Sequence, residues 1–211
     1  KFEREHVDCQ IWAGTIERAD FNAWVNTILT DDAARKYVKG VGFQWAGKGA
    51  VQLTRLSWPD MPIIQTENEC GDGQNNWQYA QYVFDLIHHY LLNGAEAYVY
   101  WNMVLPLGGE STWGWKQNSM LCVDTKNQAA VFNPEFYIMK HFAAFVQPGD
   151  RVNLLKGPLA GNAMAFVKPD GRRTHIIKNP FPHNHSVRIP VSQGVVELKL
   201  APHSIHTFAE G

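Results

Sequence analysis

Nowhere in the 211 residues does an apolar run approach the roughly 18 that a membrane-crossing helix needs, so no membrane span is expected. A charge excess of one sign is also missing, with 19 Lys and Arg against 20 Asp and Glu. With no basic stripe, nucleic acid is not an expected partner, and with no acidic block there is no solvating tail. Cysteine is scarce. Cys9, Cys70 and Cys122 are odd in number and far apart, which argues against a CxxC zinc or redox centre and against a disulfide scaffold, and leaves the compartment open. The His residues form no HExxH spacing, and no metal is expected. His88 and His89 are adjacent on a helical pattern and face different directions, while His183, His185, His203 and His206 read as surface or strand residues. No GxGxxG follows a strand and no Ser sits in a GxSxG elbow, so no cofactor is expected and an α/β-hydrolase nucleophile is excluded. The charged start, Lys1 to Glu5, lacks the apolar stretch of a signal peptide. With no initiator Met either, the expectation is a processed or partial product.

What is present is a globular composition. Apolar residues make up 45% and charged residues 18%, enough core-forming side chains for one to two packed domains and too few charges for a disordered chain. Eight Trp are many for this length, and Trp both fills cores and stacks on the apolar faces of sugars.

Strand and helix patterns alternate over the first three quarters. Residues 7–16 read as a strand, 21–38 as a helix capped by Asp20, 40–45 as a short apolar strand, and 61–67 as the next. Residues 75–92 carry a strong helical period closed by Asn93-Gly94. Residues 97–104 (AYVYWNMV) read as one buried strand. A loop rich in Gly and Trp follows (107–115), then a small hairpin (121–123 with 129–132) and a helix from Pro134 to Val146. From Arg151 the pattern becomes short alternating runs between turns, at 163–167, 174–177, 186–189, 194–200 and 204–208, which reads as an antiparallel sandwich. The expected domains are residues 1–148 and 149–211.

Alternating β and α implies a parallel sheet. A complete eightfold barrel needs about 200 residues or more, so residues 1–148 can supply about half of one. Either the other half lies elsewhere, on this or another chain, or the fold is a smaller open sheet; the abrupt start favours the first.

Chemistry concentrates at residues 61–77. The apolar run Pro62-Ile63-Ile64 leads straight into Thr66-Glu67-Asn68-Glu69, followed by Gly71-Asp72-Gly73. A carboxylate at the C-terminal end of a barrel strand sits on the catalytic rim, half desolvated yet reachable. Glu67 is therefore either a catalytic group or a salt-bridged loop carboxylate. Glu69 shares its face if the strand persists and diverges if it turns. GDGQNN lacks the regular acidic spacing of a calcium loop, and Asp72 can instead cap the helix that follows. Trp101-Asn102 and Trp45 also end strands; each Trp is a sugar platform or a core residue, and Asn102 is a ligand for sugar hydroxyls or a loop cap. Trp113 and Trp115 lie in a Gly-rich loop with little packing reason to be apolar, which favours binding. Glu110, in the same loop, reads as a solvated charge.

In order and at compatible spacings, Leu29 to Val41 (LTDDAARKYVKGV), Ile64-Gln65-Thr66-Glu67, Tyr100-Trp101-Asn102 and Ser204 to Phe208 resemble the C-terminal part of glycoside hydrolase family 30, the family that includes acid β-glucosidase. The resemblance covers nearly the whole chain. It implies the second half of a (β/α)8 TIM barrel followed by an antiparallel β-sandwich domain. It implies a retaining β-glycosidase with Glu67 as nucleophile, a second Glu as acid and base, and a glycoside or oligosaccharide as substrate. Trp45, Trp101, Asn102, Trp113 and Trp115 would be substrate-binding. Secretion, or a periplasmic or lysosomal location, follows only from the family.

Two departures matter. The family's acid/base motif, Asn-Glu-Pro, does not occur in this chain, so the expectation is that the sequence begins after strand four and that the remaining barrel half is carried elsewhere. Where some members have Tyr after the rim Trp, Ala46 stands here, followed by Gly47-Lys48-Gly49, so the subsite wall is rebuilt. The competing readings are a catalytically inactive, carbohydrate-binding homologue and an unrelated α/β domain, in which the four strands would not be adjacent and parallel. Asn184-His185-Ser186 also fits a glycosylation acceptor.

Overall fold

The computed structural model describes residues 1–2, 4–191 and 193–211; Glu3 of the charged start lies outside the described residues. The chain forms two units, Lys1–Cys70 with His89–Trp101, and Gly71–His88 with Asn102–Gly211.

The first unit is built on four parallel strands, β1 (Ile11–Ile16), β2 (Val38–Gln44), β3 (Ile63–Glu67) and β4 (Ala95–Tyr98), side by side in chain order. Val41 pairs with Ile63, Gln44 with Glu67, and Gln65 with Tyr98. The order never reverses, unlike that of a doubly wound sheet. The expected strands are thus adjacent and parallel. Four consecutive residues of β2, Gly40 to Phe43, are buried, as befits a strand covered on both faces. Ala13, Ile16, Val41, Phe43, Ile63 and Ala95 of the sheet bury with Phe21, Val25, Leu29, Ala50, Val51 and Tyr90.

The connections correct the sequence reading. The single helix expected over 21–38 is three pieces, a π-helical turn at Asn22–Asn26, α1 (Thr27–Thr30) and α2 (Asp32–Arg35). Asp31 causes the break. It is extended (ψ 106°), and its carboxylate accepts the N–H groups of Ala33 and Ala34 at 2.8 and 3.3 Å, which starts a new helix. Asp20 does cap the first turn, accepting Ala23 N–H at 3.0 Å. Between β2 and β3 lies α3 (Lys48–Ser57), a helix that the sequence pattern does not single out; glycines flank its start, and Leu53 and Leu56 are exposed. β1 begins at Ile11 rather than residue 7.

The expected strand 97–104 is also two. β4 stops at Tyr98, and β5 (Val104–Pro106) belongs to the second unit. Side chains take over from the ladder at the break: Gln65 Oε1 accepts Val99 N–H, and Asn68 Oδ1 accepts Trp101 N–H, both at 2.6 Å.

Helix α4 (Trp77–Leu92) contributes residues to both units. Asn76 caps its start through Tyr79 N–H at 2.8 Å. At its end Gly94 adopts φ 82°, which closes the last turn, and Arg55 Nη2 donates to Gly94 O at 2.6 Å.

In the second unit β5 pairs parallel with β6 (Leu121–Asp124), which pairs antiparallel with β7 (Ala129–Phe132), the expected hairpin. Helix α5 (Pro134–Ala143) follows Asn133 with Pro at its first position. β8 (Arg151–Asn153), β9 (Ala163–Val167), β10 (Arg173–Asn179) and β13 (Ser204–Ala209) form an antiparallel sheet in the order β13-β10-β9-β8, and β11 (His185–Val191) with β12 (Gly194–Leu200) forms a hairpin. Ala163, Ile177, Val187, Ile189 and Leu200 bring the sheet and the hairpin into one core. Phe142 packs on Phe84 and Phe166, with ring centroids 6.0 and 6.3 Å away, and Lys178, almost buried, forms an ion pair with Asp85. No helix of the described residues is long and apolar enough to cross a membrane.

Candidate active site

The parallel register sets the ends of β2 and β3 side by side, with Gln44 opposite Glu67. The next residue after β2 is Trp45, and its indole Nε1–H donates to Glu67 Oε1 at 2.6 Å. Glu67 is half-buried and Trp45 is 37% exposed, so the pair is reachable from solvent. Trp45 opens a 3-10 turn, Trp45–Gly47, with a backbone φ of 47°. Gly47 is required in that turn, since a Cβ there would lie 1.9 Å from Ile16 O.

The strand ends at Glu67, and Glu69 diverges from it. Its carboxylate forms an ion pair with Lys48, whose Nζ also donates to Trp45 O at 3.3 Å. His89 Nε2 binds Lys48 O at 2.8 Å. Asn68, fully buried, donates to Glu69 O at 2.7 Å while accepting Trp101 N–H, so it ties the loop after β3 to the half-buried Trp101 after β4. Lys48, Asn68 and Gln65 were missed from sequence. For Gln65 and Asn68 the available signal was a polar residue inside or just past an apolar strand, which has to be satisfied by a specific partner.

Asn102, Trp113 and Trp115 lie in the second unit. Asn102 Nδ2 donates to Gln117 Oε1 at 2.7 Å and to Asn118 O at 3.3 Å, which holds the base of the Trp loop. Trp113 and Trp115 are 62% and 48% exposed, and their rings stack at 5.8 Å and 24°. Their turn is fixed by Ser111 N–H on Trp115 O at 3.1 Å and by a bridge between Glu110 and Lys116. Beneath this loop, Asn118 accepts Gly73 N–H and donates to Glu135 Oε1, both at 2.7 Å. Glu135 is buried, which pushes its carboxyl above the usual carboxylate range. Hydrogen bonds from its own backbone and from Asn118 oppose the rise, and the Asp72 charge adds to it. Asp72 accepts Gln74 N–H at 3.0 Å and so turns its own loop. Among the described residues no group of three or more His, Cys, Asp or Glu is placed to hold a metal ion.

Residues 6–146 match the glycosyl hydrolase family 30 TIM-barrel domain. The chain belongs to this family. Over 210 residues it is 27% identical to lysosomal acid glucosylceramidase of Mus musculus, a match covering 88% of this chain and 39% of the mouse protein. The family-30 chain also resembles SrfJ from Salmonella typhimurium (TM-score 0.80, 22% identity, 98% of this chain and 48% of that one). It resembles the endo-β1,6-glucanase BT3312 with a TM-score of 0.82 and 15% identity, over 99% of this chain and 50% of that one. At these identities the structural likeness is one of fold. The chain spans about two fifths of the mouse protein's length and about half of each solved chain.

Proposed function

We propose that the chain is part of a retaining β-glycosidase with Glu67 as nucleophile. In this reading residues 1–148 are strands five to eight of a (β/α)8 barrel with their helices, and residues 149–211 are the side β-sandwich. The observation that carries the reading is the half-buried Glu67 at the end of β3, oriented by the Trp45 indole, in a member of family 30. Catalytic groups of barrel enzymes sit at that end of a strand.

Glu67 attacks the anomeric carbon as the bond to the leaving oxygen breaks, and that oxygen takes a proton from a second carboxylic acid. Water, deprotonated by the same second group, then displaces the sugar from Glu67. A retaining pair stands about 5 to 5.5 Å apart. The second carboxyl comes from the barrel half that this chain does not supply, which is its partner in the site. Trp45 and Trp101, in the first unit, contact the sugar; in the second unit Asn102 offers a polar contact and the stacked Trp113 and Trp115 an aromatic platform to a glycoside. The mouse relative is named as lysosomal, which is compatible with a lysosomal or secreted location.

A 2-fluoro glycoside carrying a good leaving group, incubated with the assembled enzyme and followed by peptide mapping, tests the assignment. The expected adduct sits on the peptide containing Glu67, and Glu67→Gln abolishes both turnover and labelling. An adduct on another carboxylate would overturn the assignment. Saturable sugar binding without any adduct or turnover would favour the binding homologue.

A further inference from the structure

We propose that Lys48 and Glu69 are positioning residues, which hold Trp45 in its left-handed conformation so that the indole N–H stays on Glu67. The catalytic consequence rests on the reading of Glu67 given above; the positional claim does not.

Trp45 stands at φ 47°, a region that L residues with bulky side chains rarely adopt. Such a backbone persists only where its surroundings over-determine it. Here they do. Gly47 packs against Ile16 O with no space for a side chain. Lys48 N–H donates to Trp45 O and Ala46 O, and Lys48 Nζ binds the same Trp45 carbonyl from the side-chain end. His89 then holds Lys48 O at 2.8 Å.

The opposite side of the arrangement is equally tied. Glu69 follows Glu67 by two residues, its carbonyl is held by buried Asn68, and its carboxylate pairs with Lys48 Nζ. The turn 45–48 and the segment 67–69 are therefore joined by polar links at both ends, Trp45 to Glu67 and Lys48 to Glu69. A single link would leave the indole free to swing about its χ angles. A second link a few residues away closes a ring and removes that freedom. The Lys48 and Glu69 side chains are 34% and 25% exposed, partly shielded from solvent screening. The indole donor occupies Glu67 Oε1, which leaves attack to Oε2. Glu69 also keeps the Lys48 ammonium engaged, so that it does not turn to Glu67 and neutralise the nucleophile.

The test follows the Trp45 indole N–H by NMR in the 15N-labelled 211-residue chain, assigned with Trp45→Phe. The expected wild-type signal is shifted downfield and protected from exchange with water. In Lys48→Met and in Glu69→Gln it moves toward the position of an exposed indole and exchanges at least tenfold faster, while Lys48→Arg retains most of the protection. Lys39→Met, on β2, leaves it unchanged. An unchanged resonance in both Lys48→Met and Glu69→Gln would overturn the proposal; Glu69→Gln alone decides if Lys48→Met does not fold. In the assembled enzyme, Glu69→Gln lowers kcat about tenfold with little change in KM, and adding Lys48→Met to it restores part of the loss. A Trp45 signal that responds as expected, with no turnover and no Glu67 adduct in the assembled enzyme, would support the positional claim and sink the hydrolase reading.

Discussion

Glu135 stands in the first turn of α5 with no accessible surface, and Oε2 makes no hydrogen bond among the described residues. Burial raises its pKa in the folded state above the unfolded value of about 4.5. A group shifted in this direction contributes stability below the unfolded pKa, and the contribution is lost as pH rises through the folded value. We expect the Tm of the wild type to fall relative to Glu135→Gln across that window, because the amide keeps an acceptor for Asn118 and cannot ionise. Parallel melting curves against pH would contradict this. His141 has the opposite sign. Burial lowers its pKa, with the neighbouring His206 and Lys140 adding to the effect, so its contribution is present above the ordinary His range and lost as pH falls through the folded value. The place of Glu67 at a strand end was legible at this scale because an apolar run leads directly into it. Lys48 was not, because a Lys between two glycines reads as solvent until its ammonium is seen on Glu69 and the Trp45 carbonyl.

Among the elements, the β1–β2 connection shows how one carboxylate outweighs a helical pattern. The run from Phe21 to Val38 is periodic enough for one helix, but Asp31 satisfies two N–H groups of the next helix and ends the previous one. Removing that cap in Asp31→Ala is expected to destabilise the chain by about 1 kcal/mol, read as a lower denaturation midpoint. The Trp45 indole signal would stay in place, because Asp31 holds α2 and not the Trp45 turn; a shift of that signal would show that the two are coupled. The loop with Trp113 and Trp115 is a different case. Its rings are exposed and stacked on a turn closed by Ser111 and Gly114. If they form a sugar platform, Trp113→Ala and Trp115→Ala in the assembled enzyme raise KM several-fold and leave kcat and Tm nearly unchanged. Unchanged KM for both would remove them from the binding surface.

At the scale of the whole molecule, the chain accounts for 39% of the mouse relative's length. The proposed double displacement needs two carboxyl groups, and losing either removes a step. The 211 residues alone are therefore expected to turn over glycosides at a negligible rate, measured with an activated aryl glycoside. Measurable turnover by the purified chain, abolished by Glu67→Gln, would mean that a carboxylate within it serves as acid and base.

Local pattern alone determined that β and α elements alternate, that antiparallel strands follow, and that a carboxylate ends the strand at residue 67. These are properties of neighbours in the chain, where burial period, caps and turn residues act over a few positions. The tertiary structure decided what depends on distant partners. It ended β4 at Tyr98, because the side chains of Gln65 and Asn68 take the N–H groups of Val99 and Trp101. It formed α3 from a glycine-flanked segment whose Ala50 and Val51 find a core. It set Trp45 on Glu67, a contact spanning 22 residues that exists only because β2 and β3 lie parallel and in register.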